Sequence, residues 1–386
     1  MKFRSVLGLL VASLVLLSAC APKSYPRRVT AREKAYTSVA RAVDMAGAEV
    51  IPRYNTGRRY DFNRQTPEVE YSYYMDLKFR RNPEAFYIRP DTAPEVEFVE
   101  KLSESRYAVV HLIKWESQYT PQNPDFAIRY RDYVETQTVW AIYSKSKIGN
   151  RGAVVVSHSW TTGDIFKDRH YNRDKMFDLM DLGYDTIVIQ QPYQGLRSLE
   201  NTVFSGEPLL SGDISLINES MCQSVTDIRS MLNWLSTDYE VVGLMGEDMG
   251  ATASLLTVVV DGRPDFVVAW NPPGSLGEIN ADSALAPFAI ETMRAAGIDQ
   301  ILAEKVLYVA SPANYDPQIP VEDVIVFAGM GDEFVKPEQP ESLLYKWDGL
   351  EIVWYSGGRI MNFQKKMCRR KEEGFLVSKL PADSAR

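Results

Sequence analysis

The chain predicts an α/β fold: a doubly wound, mostly parallel sheet, with antiparallel strands at its N-terminal side and an irregular N-terminal extension. Three observations carry that expectation. Short, wholly apolar runs recur from residue 153 to 355, separated by stretches long enough for helices. Two longer runs of mixed polarity precede them, and a glycine-flanked strand–turn–helix pattern lies at 242–251. Continuous β-branched runs alternating with helices fit strands buried on both faces.

The first residues read as an export signal. Lys2 and Arg4 precede an apolar run from Val6 to Leu17, too short to span a bilayer, and Leu17-Ser-Ala-Cys20 follows. This end resembles the lipobox of bacterial lipoproteins. The resemblance implies that residues 1–19 are removed and that Cys20 becomes the acylated first residue, holding the protein to a membrane through lipid. Ala21 stands next to the cysteine, not aspartate, which by resemblance to Gram-negative sorting implies the outer membrane, facing the periplasm or the cell surface. Cleavage takes away Lys2 and Arg4, so the formal charge of −8 becomes −10. That acidic balance disfavours nucleic acid as a partner. Cys222 and Cys368 then remain; two well-separated thiols in a chain this long fit free side chains better than a disulfide framework.

Residues 20–104 form a lipidated tether and extension: a polar stretch over 21–32, a helix from Glu33 to about Glu49, and an Arg- and Tyr-rich irregular segment over 50–100. That segment packs on its own domain or offers a partner surface. The main domain spans 105–365. Tyr107–Trp115 and Val134–Tyr143 are the opening antiparallel strands. Ala153–Val156, Thr186–Ile189, Val241–Met245, Phe266–Trp270, Val324–Ala328 and Ile352–Tyr355 are the parallel ones, with Leu216–Leu235 as an amphipathic crossover helix. Residues 366–386 form a basic tail around Lys365-Lys-Met-Cys-Arg-Arg-Lys371, read as a solvated helix that can also meet anionic headgroups or an acidic partner.

Chemistry concentrates at the ends of the strands. Gly246-Glu-Asp-Met-Gly250 has the form G-x-S-x-G with Asp248 at the centre, where flanking glycines let strand and helix approach. Val154-Val-Val-Ser-His-Ser-Trp160, Gln191-Pro-Tyr-Gln-Gly-Leu-Arg-Ser198, Gly329-Met-Gly-Asp-Glu-Phe-Val335 and Gly357-Gly-Arg359 follow other strands. Together these resemble the α/β-hydrolase superfamily over about residues 105–365. The resemblance implies that Asp248 occupies the nucleophile position, Asp332 the acid and Arg359 the base. It also implies that Ser159 and Met249 stand where oxyanion-hole amides are found.

Two departures bear on activity. Aspartate replaces serine at 248, as in dehalogenase and epoxide-hydrolase branches of the superfamily. Arginine replaces histidine at 359, and the three histidines, His111, His158 and His170, all lie earlier in the chain. A guanidinium stays protonated at neutral pH and has no acceptor, so it cannot act as the base. His158 corresponds to a structural histidine beside the oxyanion hole, His170 lies in a polar stretch and reads as exposed, and His111 is far from the functional edge. The altered triad implies an internal ion-paired cluster in which Arg359 bridges Asp332, with Asp248 as a further partner. Alternatively, Arg359 would capture a small anionic ligand.

The leading expectation is an envelope lipoprotein on a hydrolase scaffold without turnover, acting in binding or in an envelope assembly with a protein partner. The alternative is an active hydrolase using Asp248 on ester, epoxide or haloalkane substrates. Neither a metal nor a cofactor is expected.

Overall fold

The computed structural model describes residues 25–48, 68–278 apart from 169, 201, 203, 211, 212 and 237, and then 293 and 297–381. Cys20 and its signal lie outside them. Nine strands form one sheet: β1 (Glu97–Glu104), β2 (Ala108–Glu116), β3 (Thr138–Ser146), β4 (Gly152–Ser157), β5 (Tyr184–Ile189), β6 (Val241–Glu247), β7 (Phe266–Trp270), β8 (Val324–Gly329) and β9 (Glu351–Tyr355). Their order is β1-β2-β3-β5-β4-β6-β7-β8-β9. Pairing is antiparallel from β1 to β5 and parallel from β5 to β9. The expected fold class is observed.

Alternation along the central strands sends side chains to two separate cores. Val155, Ile187, Leu244, Val267 and Val326 meet α3 (Ile214–Leu235), α4 (Met249–Val260) and α5 (Gln300–Val306) on one face. On the other, Val154, Val188, Met245, Val268 and Phe327 meet α2 (Lys175–Asp181) and α6 (Lys365–Lys379). Full burial of each aliphatic side chain stabilises the sandwich by roughly 1.5–3 kcal/mol. Among the described residues no helix is long and apolar enough to cross a membrane.

Three boundaries differ from the sequence expectation. The sheet starts at Glu97, not near 105, because β1 is an edge strand exposed everywhere but at Leu102, with half its residues charged; such a strand resists edge-to-edge pairing and lacks an alternating apolar face. The preceding segment is also less irregular than expected. Short helical turns carry Tyr74, Phe79, Phe86 and Tyr87, none more than 1% exposed, into the α3 face of the core. Val134–Gln137 is a helical turn, not strand. The carbonyl of Thr136 there accepts from Arg197 Nη2 at 2.5 Å and Gln223 Nε2 at 2.8 Å, so distant groups fix the local backbone. Finally, the basic tail is the last helix of the sandwich. Cys368 and Leu376 of α6 are buried, and Tyr184 Oη donates to the Leu376 carbonyl at 2.7 Å.

A further helix, α1 (Ala31–Ala48), precedes the sheet. It opens with a capping box: the Glu33 amide donates to Thr30 Oγ1 at 3.2 Å, and the Thr30 amide donates back to Glu33 Oε2 at 2.8 Å. Its small-residue face lies on the loops after β8 and β9. A Cβ on Gly331 would come within 2.6 Å of the Thr37 carbonyl, and one on Gly47 within 2.5 Å of Ile360.

Candidate functional site

Asp248 stands between β6 and α4 with φ 49° and ψ −116°. A non-glycine residue in that region is strained, and such strain persists only where surrounding packing enforces it. The enforcement comes from close contact on both sides. A Cβ on Gly250 would lie 2.3 Å from the Ser157 carbonyl oxygen, and one on Gly246 would lie 2.3 Å from the Gly250 carbonyl. Asp248 N donates to the Trp270 carbonyl at 2.9 Å, and Thr252 N closes the first turn of α4 on the Asp248 carbonyl at 2.9 Å. The elbow geometry is therefore complete, with a buried carboxylate at its apex.

Arg359 fills the base position and reaches across to that carboxylate. Its Nη1 forms an ion pair with Asp248 Oδ2. Nη2 donates to Ser159 Oγ at 2.8 Å and to the Trp160 carbonyl at 3.3 Å. The guanidinium also lies 5.5 Å from the centroid of the Phe334 ring. Burial pushes the Asp248 carboxyl above its ordinary range, while the Arg359 charge and the Ser159 hydroxyl pull it down.

Asp332, the expected first partner of Arg359, is turned elsewhere. Its Oδ1 accepts from the amides of Phe334 at 2.9 Å and Val335 at 2.8 Å, within its own turn. Its Oδ2 is buried without a hydrogen-bond partner. Burial, with the charges of Asp44 and Asp248, drives this carboxyl well up, and Arg359 offsets only part of that. The guanidinium ion pair thus forms to Asp248 and not to Asp332.

A third carboxylate, unforeseen from the sequence, completes the cluster. Asp44 projects from α1 and is wholly buried. Its Oδ2 accepts from the amides of Arg359 at 2.8 Å and Glu333 at 3.3 Å, and its Oδ1 from Ile360 at 3.0 Å. A Cβ on Gly358 would meet Asp44 Oδ2 at 2.3 Å, so the glycine there makes room for the carboxylate. The nearby pair of Arg41 Nε and Glu333 Oε1, at 2.5 Å, ties the helix to the acid loop again. The signal for Asp44 was weak: Thr37, Ala40 and Asp44 recur on one helical face, placing an acid in a stripe of small residues.

The expected oxyanion region is occupied in part. The Ser159 amide donates to Tyr171 Oη at 2.9 Å, and Tyr171 Oη donates to Glu247 Oε2 at 2.9 Å. Met249 is the first residue of α4 and packs, half-buried, on the core. His170, read as exposed, is half-exposed yet engaged, its Nε2 lying 3.1 Å from Glu247 Oε1. Burial acts to raise the Glu247 carboxyl, but His170, Lys175 and Tyr171 outweigh it and hold it at about 2.

His158 is structural. Its Nε2 accepts from the Gln191 amide at 2.8 Å and lies 2.7 Å from Gln190 Nε2, and its Nδ1 lies 2.8 Å from the Ser159 carbonyl. Burial lowers it to about 4, and no ring nitrogen is left to activate a water. His111 lies on β2 with its ring against Phe98, 5.1 Å between centroids. Cys222 and Cys368 are free and buried, each thiol raised by burial.

Acetyl xylan esterase 1 from Thermoanaerobacterium sp. JW/SL YS485 superposes with a TM-score of 0.55 at 15% identity, covering 82% of this chain and 95% of that one. An acetyl xylan esterase from Paenibacillus sp. R4 gives 0.54 at 13% identity, covering 81% and 98%. The fold is that of the α/β-hydrolases. By sequence, the chain is 24% identical over 319 residues to uncharacterized proteins of two Mycobacterium tuberculosis strains, H37Rv and CDC 1551, spanning 80% of this chain and 74% of each of those. No protein-family model matches it. Within this α/β-hydrolase fold, the elbow and base side chains, Asp248 and Arg359, hold one another, and the acid-loop Asp332 bonds within its own turn.

Asp332, buried close to that pair, has a pH signature of its own. In the unfolded chain an aspartate titrates near 3.9. The folded value lies well above, so the folded state keeps its proton while the unfolded state releases it. The stability this group contributes is full below about pH 4 and is lost as pH rises through the folded value. Asp332→Asn mimics the protonated acid and is expected to be more stable than the natural chain at pH 7, by about 1–2 kcal/mol. Urea unfolding from pH 4 to 8 checks it, and the two curves are expected to converge at the acid end.

Proposed function

We propose that this protein is a lipid-anchored component of a bacterial envelope whose α/β-hydrolase scaffold no longer turns over substrate and serves binding or assembly. The observation that carries the reading is the occupant of the base position. Arg359 cannot accept a proton, and its guanidinium is held by Asp248, Ser159 and Trp160. Asp44 fixes the Arg359 amide from below, and Tyr171 takes the Ser159 amide.

The chemistry argues in the same direction. A carboxylate attacks an alkyl carbon without help from a base, but hydrolysis of the resulting ester needs an activated water. A general base is worth about 10²–10⁴-fold in such a step. His158 has both ring nitrogens engaged, and Asp332 sits unpaired and raised by burial. Attack by Asp248 would first have to break its ion pair. An anionic ligand would likewise compete with Asp248 for the guanidinium, which makes a ligand role for Arg359 secondary to the internal pair. Lipidation at Cys20 is supported by the Leu-Ser-Ala-Cys context alone.

The test is incubation of purified protein with acetyl esters, epoxides and haloalkanes, following product and intact mass. No product beyond the uncatalysed rate and no adduct is the expected result. Many turnovers that vanish in Asp248→Ala would overturn the reading. One equivalent of added mass would instead identify a carboxylate that attacks and then stalls. Intact mass of membrane-extracted protein tests the anchor separately: an acylated chain beginning at Cys20 is expected, and an unmodified cysteine would refute it.

A further inference from the structure

The start of α6 presents cations that the fold does not neutralise. Lys365, Lys366 and Arg370 are exposed and line, with Phe363, an open groove of about 720 Å³. None of these three makes a side-chain ion pair or hydrogen bond within the described residues. Their neighbours differ: Arg369 pairs with Glu373 and Asp178, Lys371 with Glu351, and Lys379 with Asp323. The basic run is therefore divided into a structural set and an unused set.

The basic surface continues onto α1. Phe363 stacks on Tyr36 at 4.6 Å between ring centroids and 11° between planes. Arg32 covers the same Tyr36, its guanidinium 5.1 Å from the ring and its Nε donating to the hydroxyl at 2.7 Å. Arg28, exposed, lies just before this helix. Ile360 and Phe363 add apolar surface, 53% and 36% exposed. The result is one stripe of cations interleaved with aromatic and aliphatic side chains, on a protein whose overall charge is acidic.

We propose that this stripe docks on the anionic phospholipid surface of the membrane that holds the chain. The proposal rests on the reading of Cys20 as acylated, which supplies the geometric reason. Four residues separate Cys20 from Tyr25, so the five steps between them reach at most about 18 Å when extended. The chain is then pinned beside the stripe, where Arg27 pairs with Glu33 at 2.6 Å. A tether that short keeps the first turn of α1 and the groove of α6 near the headgroups. Guanidinium and ammonium groups there gain from the negative surface potential, and aromatic side chains suit the interfacial layer.

The test uses the processed chain, residues 20–386, with Cys20→Ser so that no lipid contributes. Sedimentation with phosphatidylcholine vesicles, with and without phosphatidylglycerol, reads the partition. Binding only to the anionic vesicles, weakened by salt, is expected. Each basic residue near the surface is worth about fivefold, equivalent to about 1 kcal/mol. Lys365→Gln, Lys366→Gln and Arg370→Gln together are thus expected to cost about a hundredfold. Arg131→Gln with Lys305→Gln, exposed cations outside the stripe, should leave binding unchanged. Failure to bind anionic vesicles, or equal binding by the triple variant, overturns the proposal. Binding to polyglutamate without binding to vesicles also overturns it, and would assign the stripe to an acidic protein. Because the tested chain carries no acyl group, either failure is independent of the result at Cys20.

Discussion

Arg359→Leu is expected to destabilise the folded protein by about 3–5 kcal/mol at pH 7, the largest effect of any single change in the site. Asp248 would be left buried with no cation, in a strained turn it cannot leave. Its carboxyl is already pushed up by burial against the pull of Arg359, so losing that pull drives it higher and the side chain takes up a proton. The loss is then expected to shrink toward acid pH, where the unfolded chain is protonated as well. Asp248→Asn in the same background should recover much of the stability, since removing both charges of a buried pair is often close to neutral. Chemical denaturation of the four members of this cycle measures the coupling. If Arg359→Leu is as stable as the natural protein, the ion pair does not hold the site together. In a working hydrolase, changing the base would abolish turnover and leave stability nearly alone; here the reverse is expected.

Asp44→Ala comes next, with an expected loss of about 2–4 kcal/mol. Three amides, those of Arg359, Ile360 and Glu333, lose their acceptor at once. The loss is less than the sum of three bonds because Asp44 itself is raised by burial, and its charge also raises Asp332. Asp44→Asn keeps one acceptor oxygen and removes the charge, so it should cost less than half as much. Amide exchange gives a readout specific to the contact: residues 357–361 and α1 are expected to exchange faster in Asp44→Ala. Unchanged exchange there would mean that α1 is a passive cover and not a clamp on the base loop.

Much of the architecture was legible because burial on both faces writes a strong local pattern. Phe266–Trp270 matches the expected strand, and the other parallel strands differ by a residue or two at their ends. The elbow was legible for a different reason: Gly246 and Gly250 are demanded by backbone atoms within 2.5 Å, and no other residue type fits. Elements without either signature were misread. The strand β1 is exposed and half charged, the turn at 134–137 is held by Arg197 and Gln223, and α6 is basic yet seated on the sheet through Cys368 and Leu376.

The candidate site divides along the same line. Motif order alone brought Asp248, Asp332 and Arg359 together, and the chemistry of a guanidinium alone excluded it as a base. Partner choice was not written there. Arg359 pairs with Asp248, Asp332 Oδ1 accepts within its own turn, and Asp44, 315 residues earlier, fixes the Arg359 amide. Nor did any local pattern mark Tyr171 as the group that takes the Ser159 amide. The sequence by itself determined which side chains stand at the triad positions, since residue type and backbone demand are local properties. The tertiary structure decided which of them touch, since hydrogen bonds and buried charges are settled by groups that only folding brings within reach.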